Sequence, residues 1–170
     1  MIGPFRGEHR FLSNFWPEPA RGGLTNEHFF QAEKSFDPEE RAFVMRSSSP
    51  REAKKRGRMI TLREDWDAVK DTVMLSGLRN KFYLDAELRA ALLATGDTYI
   101  AEVNTWGDRY WGVEEIPVPV VDTREYIGKN MLGILLMQVR SEFEWTRYKT
   151  SSTNDFNNLV TGETNATNDQ

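Results

Sequence analysis

The chain has 170 residues, of which 39% are hydrophobic and 12% aromatic, and its formal net charge is -4. That length is enough for one domain with a hydrophobic core and short for two. The acidic balance argues against sequence-independent wrapping of a nucleic-acid backbone, which needs a large positive surface. A local basic pocket is still compatible with it.

Cysteine is absent, and the two histidines are His9 and His28. Disulfides and thiolate metal sites are therefore excluded, and two imidazoles are too few for a convincing zinc site. No apolar run is long enough to span a membrane, and the N-terminal residues lack the charged-then-apolar order of a signal peptide. We expect a soluble, cytoplasmic protein with no metal, no cofactor and no membrane partner; the sequence does not indicate an oligomeric state.

The first part of the chain predicts a loop followed by a helix. Residues 11–17 mix large aromatic with small polar residues and end at a proline, which predicts a short strand or an ordered loop and not a helix. After the glycine turn at 22–23, Thr25 or Asn26 can cap a helix, which puts Glu27 in its first turn.

Two further short helices are predicted from their start signals. Asp37 and Ser49 each precede a proline, which is the order of an N-cap and a first helical residue. The helix after Ser49 should end at Gly57, a residue typical of helix C-termini.

The remaining elements follow from hydrophobic periodicity. An apolar stripe from Trp66 to Phe82 predicts a central core helix, and Asp85 can cap another helix after it. Residues 99–103 predict a short strand, whereas the proline content of 111–127 predicts a loop or edge strand. Asn130 can cap a final helix with an apolar stripe.

The chain is expected to form one domain over residues 1–145. Residues 146–170 are rich in Asn, Thr, Ser and Asp and poor in apolar side chains towards the C-terminus, so we expect a disordered polar tail there.

The first predicted helix carries Glu27, Gln31 and Lys34 at i, i+4 and i+7, so these side chains should project from one face. A carboxylate, an amide and an amine beside Phe29 and Phe30 suit the binding of a sugar and acid–base or imine chemistry on it. In a helical interaction domain the same stripe would instead lie on open surface.

Seven short motifs occur in an order and approximate spacing that resemble the NADAR family of YbiA-like proteins. They are Phe11-Leu12-Ser13-Asn14-Phe15, Glu27-His28-Phe29-Phe30-Gln31-Ala32-Glu33-Lys34, Ala53-Lys54-Lys55-Arg56-Gly57-Arg58, Lys81-Phe82, Thr95-Gly96-Asp97, Asp108-Arg109-Tyr110-Trp111-Gly112 and Gly128-Lys129-Asn130-Met131-Leu132-Gly133. Each motif is weak alone, but their joint occurrence in order, up to about Phe143, is specific. The resemblance implies an α+β, predominantly helical, YbiA-like single domain with a few short strands, and an N-glycosidase activity that cleaves the bond between ribose C1 and a nitrogenous base.

Two substrate classes come with the resemblance. One is the phosphorylated ribosyl-pyrimidine intermediates of riboflavin synthesis, and the other is ADP-ribose attached to guanine in a nucleotide or a nucleic acid. The expected partner is thus a small nucleotide or ADP-ribosyl substrate, with modified nucleic acid as a further candidate. The alternative is a module that binds ADP-ribose or a NAD derivative without turning it over.

The segment 113–127 departs from the family pattern. Many members have a short glycine-rich loop here, whereas this chain has a long, proline-containing and acidic segment. Its acidic residues are Glu114, Glu115, Asp122 and Glu125. Negative charge at this edge disfavours a bulky polyanion, so a nucleotide or an exposed end suits the site better than long DNA.

The resemblance implies catalytic roles for Glu27, Lys34 and Asp108. A carboxylate near C1 can stabilise an oxocarbenium-like state and activate water, although a first-turn glutamate can equally just compensate the helix dipole. Lys34 can form an imine with a ring-opened C1 or act as a salt-bridge or phosphate clamp. Asp108 can orient a sugar hydroxyl or a water, or merely start a turn. His28 should point away from the sugar as a buried structural histidine.

Substrate contacts are expected from two groups of residues. Trp111, followed by the loop-forming Gly112, can stack on the released base, while Gln31, Ser13 and Asn14 can hydrogen-bond the ribose or the base.

Phosphate recognition has two candidate sources. Lys54, Lys55, Arg56 and Arg58 form a basic run that is most often a solvated helix face, and Arg58 matches the family motif. At Lys129 and Asn130 a glycine turn leads into a helix N-terminus, where free backbone N–H groups can bind an anion.

Overall fold

The computed structural model describes residues 1–117 and 124–161, with helices forming most of the domain. The α-helices are α1 (Asn26–Ala32), α2 (Pro38–Met45), α3 (Pro50–Arg56), α4 (Trp66–Leu84), α5 (Ala86–Ala94) and α6 (Met131–Thr161). The strands are β1 (Val103–Asn104), β2 (Val113–Pro117) and β3 (Arg124–Ile127), and short 3-10 helices cover Gly7–Leu12 and Pro19–Arg21. The fold is the predicted α+β single domain, mainly helical with a few short strands.

The helix starts follow the predicted capping chemistry. The Asp37 carboxylate accepts hydrogen bonds from the backbone N–H groups two and three residues further on, and Asp85 does the same for α5. The Ser49 hydroxyl accepts one from the backbone of Glu52. These bonds satisfy N–H groups that have no partner within the helix, which typically contributes about 1 kcal/mol each. The predicted starts of α2, α3 and α5 are confirmed.

The core lies around α4, which packs against α1, α5 and α6. Leu78 and Phe82 of α4 are completely buried, as are Leu92 of α5 and Leu136 and Val139 of α6. Burying one such side chain contributes about 1.5–3 kcal/mol, so this contact holds the helices on which the site is built. The central helix predicted between Trp66 and Phe82 is confirmed.

The sheet has the order β1-β2-β3. Strand β1 runs parallel to β2, with Val103 opposite Val113, and β2 runs antiparallel to β3, with Glu114 opposite Ile127. The segment predicted as a loop or edge strand therefore contains a central strand, β2, as well as the edge strand β3. The predicted strand at 99–103 shortens to β1, preceded by an isolated bridge between Ile2 and Ile100. Asp122 lies outside the described residues.

The opening segment differs from its prediction. Phe11 and Leu12 end a 3-10 helix, so excluding a helix was wrong for these two residues. The backbone N–H of Ser13 donates to Arg10, and the turn points Phe11 and Leu12 into the core, where Phe11 meets the edge of Phe82. Burial of Phe11 and Leu12 against other elements outweighs the local sequence pattern, which did not predict a helix at these positions.

The last helix is longer than the sequence indicated. Helix α6 continues to Thr161 and so overlaps residues 146–161 of the predicted tail, while 162–170 lie outside the described residues. Extending a helix that tertiary packing has already nucleated costs little per residue. Among the helices of the described segments, none combines the length and the apolarity needed to cross a membrane.

Candidate active site

A cavity of about 460 Å³ lies between α1, the end of α3 and the segments around residues 13–15 and 102–111. It brings together eight of the predicted site residues: Ser13, Asn14, Glu27, Gln31, Lys34, Arg58, Asp108 and Trp111. Their convergence from four separate segments was not visible in the sequence. Because the stripe of α1 faces this cavity, an open surface position for it is excluded.

Glu27 and Gln31 form the floor of the cavity. Both side chains are buried, with about 5% and 4% of their surface exposed, and Gln31 Nε2 donates a 2.8 Å hydrogen bond to Glu27 Oε1. The backbone N–H of Glu27 donates to the carbonyl of Asn14, which ties the start of α1 to the opening segment. Gln31 thus orients the carboxylate from the same helix, and the opening segment fixes the backbone that carries it.

The pKa of Glu27 is set by opposing effects. Burial raises it, and the negative charge of Asp108 acts in the same direction. The hydrogen bond from Gln31 and the positive charges of Lys54 and Lys34 lower it. The net direction is upward, so Glu27 is a stronger base than an exposed glutamate.

Lys34 reaches the cavity although it is not part of α1. The helix ends at Ala32, and the backbone N–H of Lys34 donates to Gln31 in a turn. Lys34 Nζ lies 5.9 Å from the ring centroid of Phe30 and 5.8 Å from that of Trp66. Burial lowers the pKa of Lys34, against the opposing attraction of Glu27. The stripe therefore ends in a turn. Because its pKa is lowered, a larger fraction of the Lys34 amine is neutral than in an exposed lysine.

His28 caps α1 instead of facing the cavity. Its Nδ1 accepts from the backbone N–H of Thr25 at 3.2 Å, and its Nε2 lies 3.3 Å from the carbonyl oxygen of Ser47. This assigns the proton of a neutral imidazole to Nε2. Burial lowers the pKa of His28, which favours that neutral form. The prediction of a buried, hydrogen-bonded histidine is confirmed.

Gly57 follows α3 and contacts the floor of the cavity. Its φ is -64°, so the left-handed conformation typical of a glycine after a helix is not used. A Cβ atom added here would overlap Gln31 Oε1 and lie 2.8 Å from Gln31 Cβ. Gln31 Oε1 is itself buried, and within the described segments it has no hydrogen-bond partner. Glycine is required because the Gln31 side chain packs directly against the backbone.

Asp108 both starts a turn and lines the cavity. Its Oδ1 accepts from the backbone N–H groups of Tyr110 at 3.2 Å and Trp111 at 2.9 Å. Asn104 Nδ2 donates to the Asp108 carbonyl oxygen at 2.7 Å and so fixes the loop. The two roles that the sequence left open for Asp108 are compatible in this geometry.

Trp111 is half-buried beside the cavity. Its ring meets Phe30 edge-on at a centroid distance of 5.3 Å and Tyr110 at 5.2 Å. Trp66 and Trp16 pack in or against the core, as predicted. Part of the Trp111 ring therefore supports the wall, and the face that lines the cavity is available to a ligand.

Several lining residues were missed by the sequence reading. They are Phe15, Met74, Glu102, Trp106, Gly107 and Leu132, whereas Phe30 beside the stripe and Lys54 of the basic run had been named from the sequence. Burial raises the pKa of Glu102 to about 7, Asp108 acts in the same direction and Lys54 opposes it. A glutamate inside the apolar run 99–103 was the available signal. Trp106, 63% exposed at the rim, had no comparable signal.

Three predicted substrate-binding residues lie outside the cavity lining that the described residues form: Gly112, Lys129 and Asn130. Lys129 is exposed, with Nζ 4.9 Å from the ring centroid of Tyr110. Asn130 is buried, and its side chain accepts from the backbone of Glu102 and donates to the carbonyl of Ile100. The backbone N–H groups of residues 129–132 donate to carbonyl oxygens of residues 109–112, so the helix N-terminus that was predicted to bind an anion is used to anchor α6.

Opposite charges are balanced around the cavity. The lining contains three carboxyl groups, Glu27, Glu102 and Asp108, and three cationic side chains, Lys34, Lys54 and Arg58. Carboxylates can stabilise positive charge at a reacting carbon, while the cations can hold an anionic part of the same ligand. In residues 1–117 and 124–161, no cluster of His, Cys, Asp or Glu side chains has the arrangement to hold a metal ion.

Comparisons with known proteins identify the family and the fold of the chain. A family model described as the NADAR domain matches residues 5–144. The chain is 43% identical over 137 residues to "N-glycosidase YbiA" of Escherichia coli (strain K12), covering 77% of this chain and 79% of that protein. It is 33% identical over 142 residues to "Riboflavin biosynthesis protein VVA0006" of Vibrio vulnificus, covering 80% of this chain and 36% of that longer protein. The solved NMR structure of the E. coli protein YbiA matches with a TM-score of 0.69 and 38% identity, over 86% of this chain and 85% of that one.

Proposed function

Because this chain belongs to the NADAR family and is an N-glycosidase, we propose that it hydrolyses the C1–N bond of a ribose that carries phosphate. The observation that supports this most directly is the buried pair of Glu27 and Gln31 in a cavity that also presents Lys54 and Arg58. One ligand can then contact a carboxylate at its sugar and cations at its phosphate.

Glu27 acts on the reacting carbon in this proposal. As the C1–N bond breaks, its electron pair stays on the base nitrogen and positive charge develops at C1 and the ring oxygen. The Glu27 carboxylate stabilises that charge and takes a proton from the water whose oxygen bonds to C1. Gln31 holds the carboxylate with Nε2, while its Oε1 lies against the backbone of Gly57.

Lys34 has a second chemical option. Its lowered pKa increases the share of neutral amine, which can capture C1 as an imine before water completes the hydrolysis. Nζ displaces the base from C1, and the second C–N bond of the imine forms as the bond between C1 and the ring oxygen breaks, so that the two amine protons pass to the base nitrogen and the ring oxygen. Water then adds to C1, and Nζ leaves with its protons restored. Asp108 orients a sugar hydroxyl or the water, and Trp111 stacks on the base.

The size and charge of the site bear on the substrate. A cavity of about 460 Å³ falls in the range that encloses a nucleotide-sized ligand. Glu114, Glu115 and Glu125 lie on the neighbouring hairpin of β2 and β3 and disfavour long DNA there.

We therefore propose two compounds for testing. One is an ADP-ribosylated guanine on a nucleotide or exposed end, and the second is the group of ribosyl-pyrimidine phosphates of riboflavin synthesis. The second is favoured by the Vibrio vulnificus relative named for riboflavin biosynthesis.

The test is release of free base, measured by mass spectrometry. Wild type, Glu27→Gln and the matched control Glu64→Gln are incubated separately with each compound; Glu64 is an exposed glutamate away from the cavity. We expect release by wild type and the control and a loss of about 10²–10⁴-fold with Glu27→Gln, as for removal of a general base. ADP-ribose binding should survive that substitution. Tight binding without base release by wild type would overturn the proposal in favour of a non-catalytic binding module.

A further inference from the structure

Glu102 is a second glutamate of the cavity, and the reaction described above leaves it without a role. Its side chain lines the cavity, and its Oε2 is buried with no hydrogen-bond partner among the residues described by the structure. An unpaired buried carboxyl oxygen costs free energy unless a ligand satisfies it. Because no group in the described residues donates a hydrogen bond to this oxygen, burial favours the neutral carboxyl group, in which one oxygen carries a proton.

The backbone of Glu102 is fixed from both sides. Its N–H donates to Asn130 Oδ1 at 3.0 Å, and its carbonyl oxygen accepts from the backbone N–H of Val113 at 2.9 Å. A Cβ atom added at Gly112 would overlap that carbonyl oxygen and lie 3.1 Å from Glu102 Cγ. Two residues predicted to bind substrate, Gly112 and Asn130, therefore position this glutamate instead.

The two glutamates differ in their hydrogen bonds, since Gln31 donates to the Glu27 carboxylate whereas no group in the described residues donates to Glu102 Oε2. The charged groups that act on it are Asp108, which disfavours ionisation, and Lys54, which favours it. Glu27 has the Gln31 hydrogen bond and two lysines in favour of its ionised form. Two carboxyl groups in one site whose environments differ in this way are suited to opposite roles, one as an acid and the other as a base.

We propose that Glu102 is the general acid of the reaction and donates its proton to the departing base. This inference rests on the proposed C1–N hydrolysis. As the C1–N bond breaks, its electron pair remains on the base and is protonated by the Glu102 carboxyl group. Water forms the C1–O bond and gives its proton to Glu27. Glu102 is then ionised and Glu27 protonated, and exchange with solvent restores both.

The experiment is to measure Glu102→Gln against a series of substrates that differ only in electron-withdrawing groups on the base. An electron-poor base leaves without much help from a proton donor. We expect a loss of kcat/KM of about 10²–10⁴-fold with the parent base, the usual contribution of a general acid, that shrinks to less than about 10-fold with the most electron-poor base. Glu64→Gln should match wild type throughout. An equal loss across the series, or no loss, would overturn the assignment.

The experiments distinguish a wrong substrate from a wrong role of Glu102. Absence of base release by wild type rejects the proposed substrate, whereas the dependence on the leaving base tests Glu102 alone. Should Glu102→Gln not fold, the wild-type pH profile decides. We expect kcat/KM with the parent base to fall as pH rises through about 7, the pKa of Glu102, and that decline to diminish with the most electron-poor base. A decline of the same size with both bases would assign it to another group such as Lys34, and it would count against Glu102.

Discussion

Gln31 donates a hydrogen bond from Nε2 to Glu27 Oε1 at 2.8 Å, one helical turn away and almost fully buried with it. This bond favours the ionised form of the carboxylate and works against burial, which favours the neutral form. The amide thereby controls the pH at which Glu27 can act as a base. The spacing of four residues along α1 therefore places the amide where it can tune the pKa of the carboxyl group in the cavity.

Replacing Gln31 by leucine should raise the pKa of Glu27 further. A hydrogen bond to a charged group contributes about 1.5–3 kcal/mol, so its loss corresponds to roughly 1–2 pKa units. Because the ionised carboxylate is the active form, the acidic limb of the kcat/KM profile should move to higher pH by that amount. The matched control is Gln138→Leu, since Gln138 makes a comparable bond to Glu142 on the surface of α6. An unmoved acidic limb in Gln31→Leu would contradict this role.

Replacing Gly57 by alanine should damage stability and activity together. The new Cβ would overlap Gln31 Oε1, and Gln31 lies in a buried helix that yields little. Overpacking of this kind costs about 1–3 kcal/mol, which lowers Tm by roughly 2–12 °C in a domain of this size. Displacement of the amide should also reduce kcat/KM at temperatures where the variant is folded.

The control for Gly57→Ala is Gly96→Ala. Gly96 has a φ of +52° and no atom within 4 Å of an added Cβ, so alanine there introduces backbone strain without a clash near the cavity. We expect that variant to lose stability and to keep its kcat/KM. Full activity in folded Gly57→Ala would mean that the position of Gln31 is not critical.

Local chemistry explains why most helices were predictable. Asp37, Ser49 and Asp85 each carry a side-chain oxygen that bonds nearby backbone N–H groups, and such caps are readable within four residues of sequence. The failure at Phe11 and Leu12 has the opposite cause. Their 3-10 turn is stabilised by burial against distant elements, which no local pattern encodes.

The site was predictable only in part for the same reason. Glu27 and Gln31 share a helix face, so their spacing alone placed them together. Ser13 and Asp108 were predicted only because they match motifs of the family. The contacts that bring them to the cavity are tertiary, and local spacing does not reveal them. The motif positions did not reveal how each residue is used. Asn130 matched a motif and yet bonds the backbone of a glutamate that the sequence reading passed over.

Substitution of Lys34 by arginine should separate its two possible roles. Arginine keeps the positive charge but does not form an imine with a sugar carbonyl. The imine route predicts that kcat falls by at least about 10²-fold, because the amine whose pKa burial lowers is then lost. Borohydride added during turnover should leave a reduced sugar adduct on Lys34 of wild type. The exposed Lys55→Arg is the control, with activity and adduct both unchanged. A kcat and a KM close to those of wild type in Lys34→Arg, without an adduct in wild type, would instead identify Lys34 as a phosphate clamp.

Lys81 should make the stability of the domain depend on pH. Its side chain is buried, its Nζ donates to the Ser13 carbonyl oxygen at 2.9 Å, and the charged groups facing it are Glu18 and Arg21. Burial lowers the pKa of Lys81 to about 7. Between pH 7 and about 10 the unfolded lysine therefore binds a proton that the folded one has lost, so stability should rise with pH across this window, by at most about 1.4 kcal/mol per unit.

The measurement for Lys81 is the free energy of unfolding in denaturant at pH 7, 8 and 9, for wild type and for Lys81→Met. Methionine has no titrating group, so the rise with pH should be smaller in the variant, and the difference between the two slopes isolates Lys81 from Lys34, whose lowered pKa acts with the same sign. Lys55→Met serves as the control and should keep the wild-type slope. Equal slopes for wild type and Lys81→Met would show that Lys81 stays charged in the folded protein, held by Glu18 and the Ser13 carbonyl in spite of its burial.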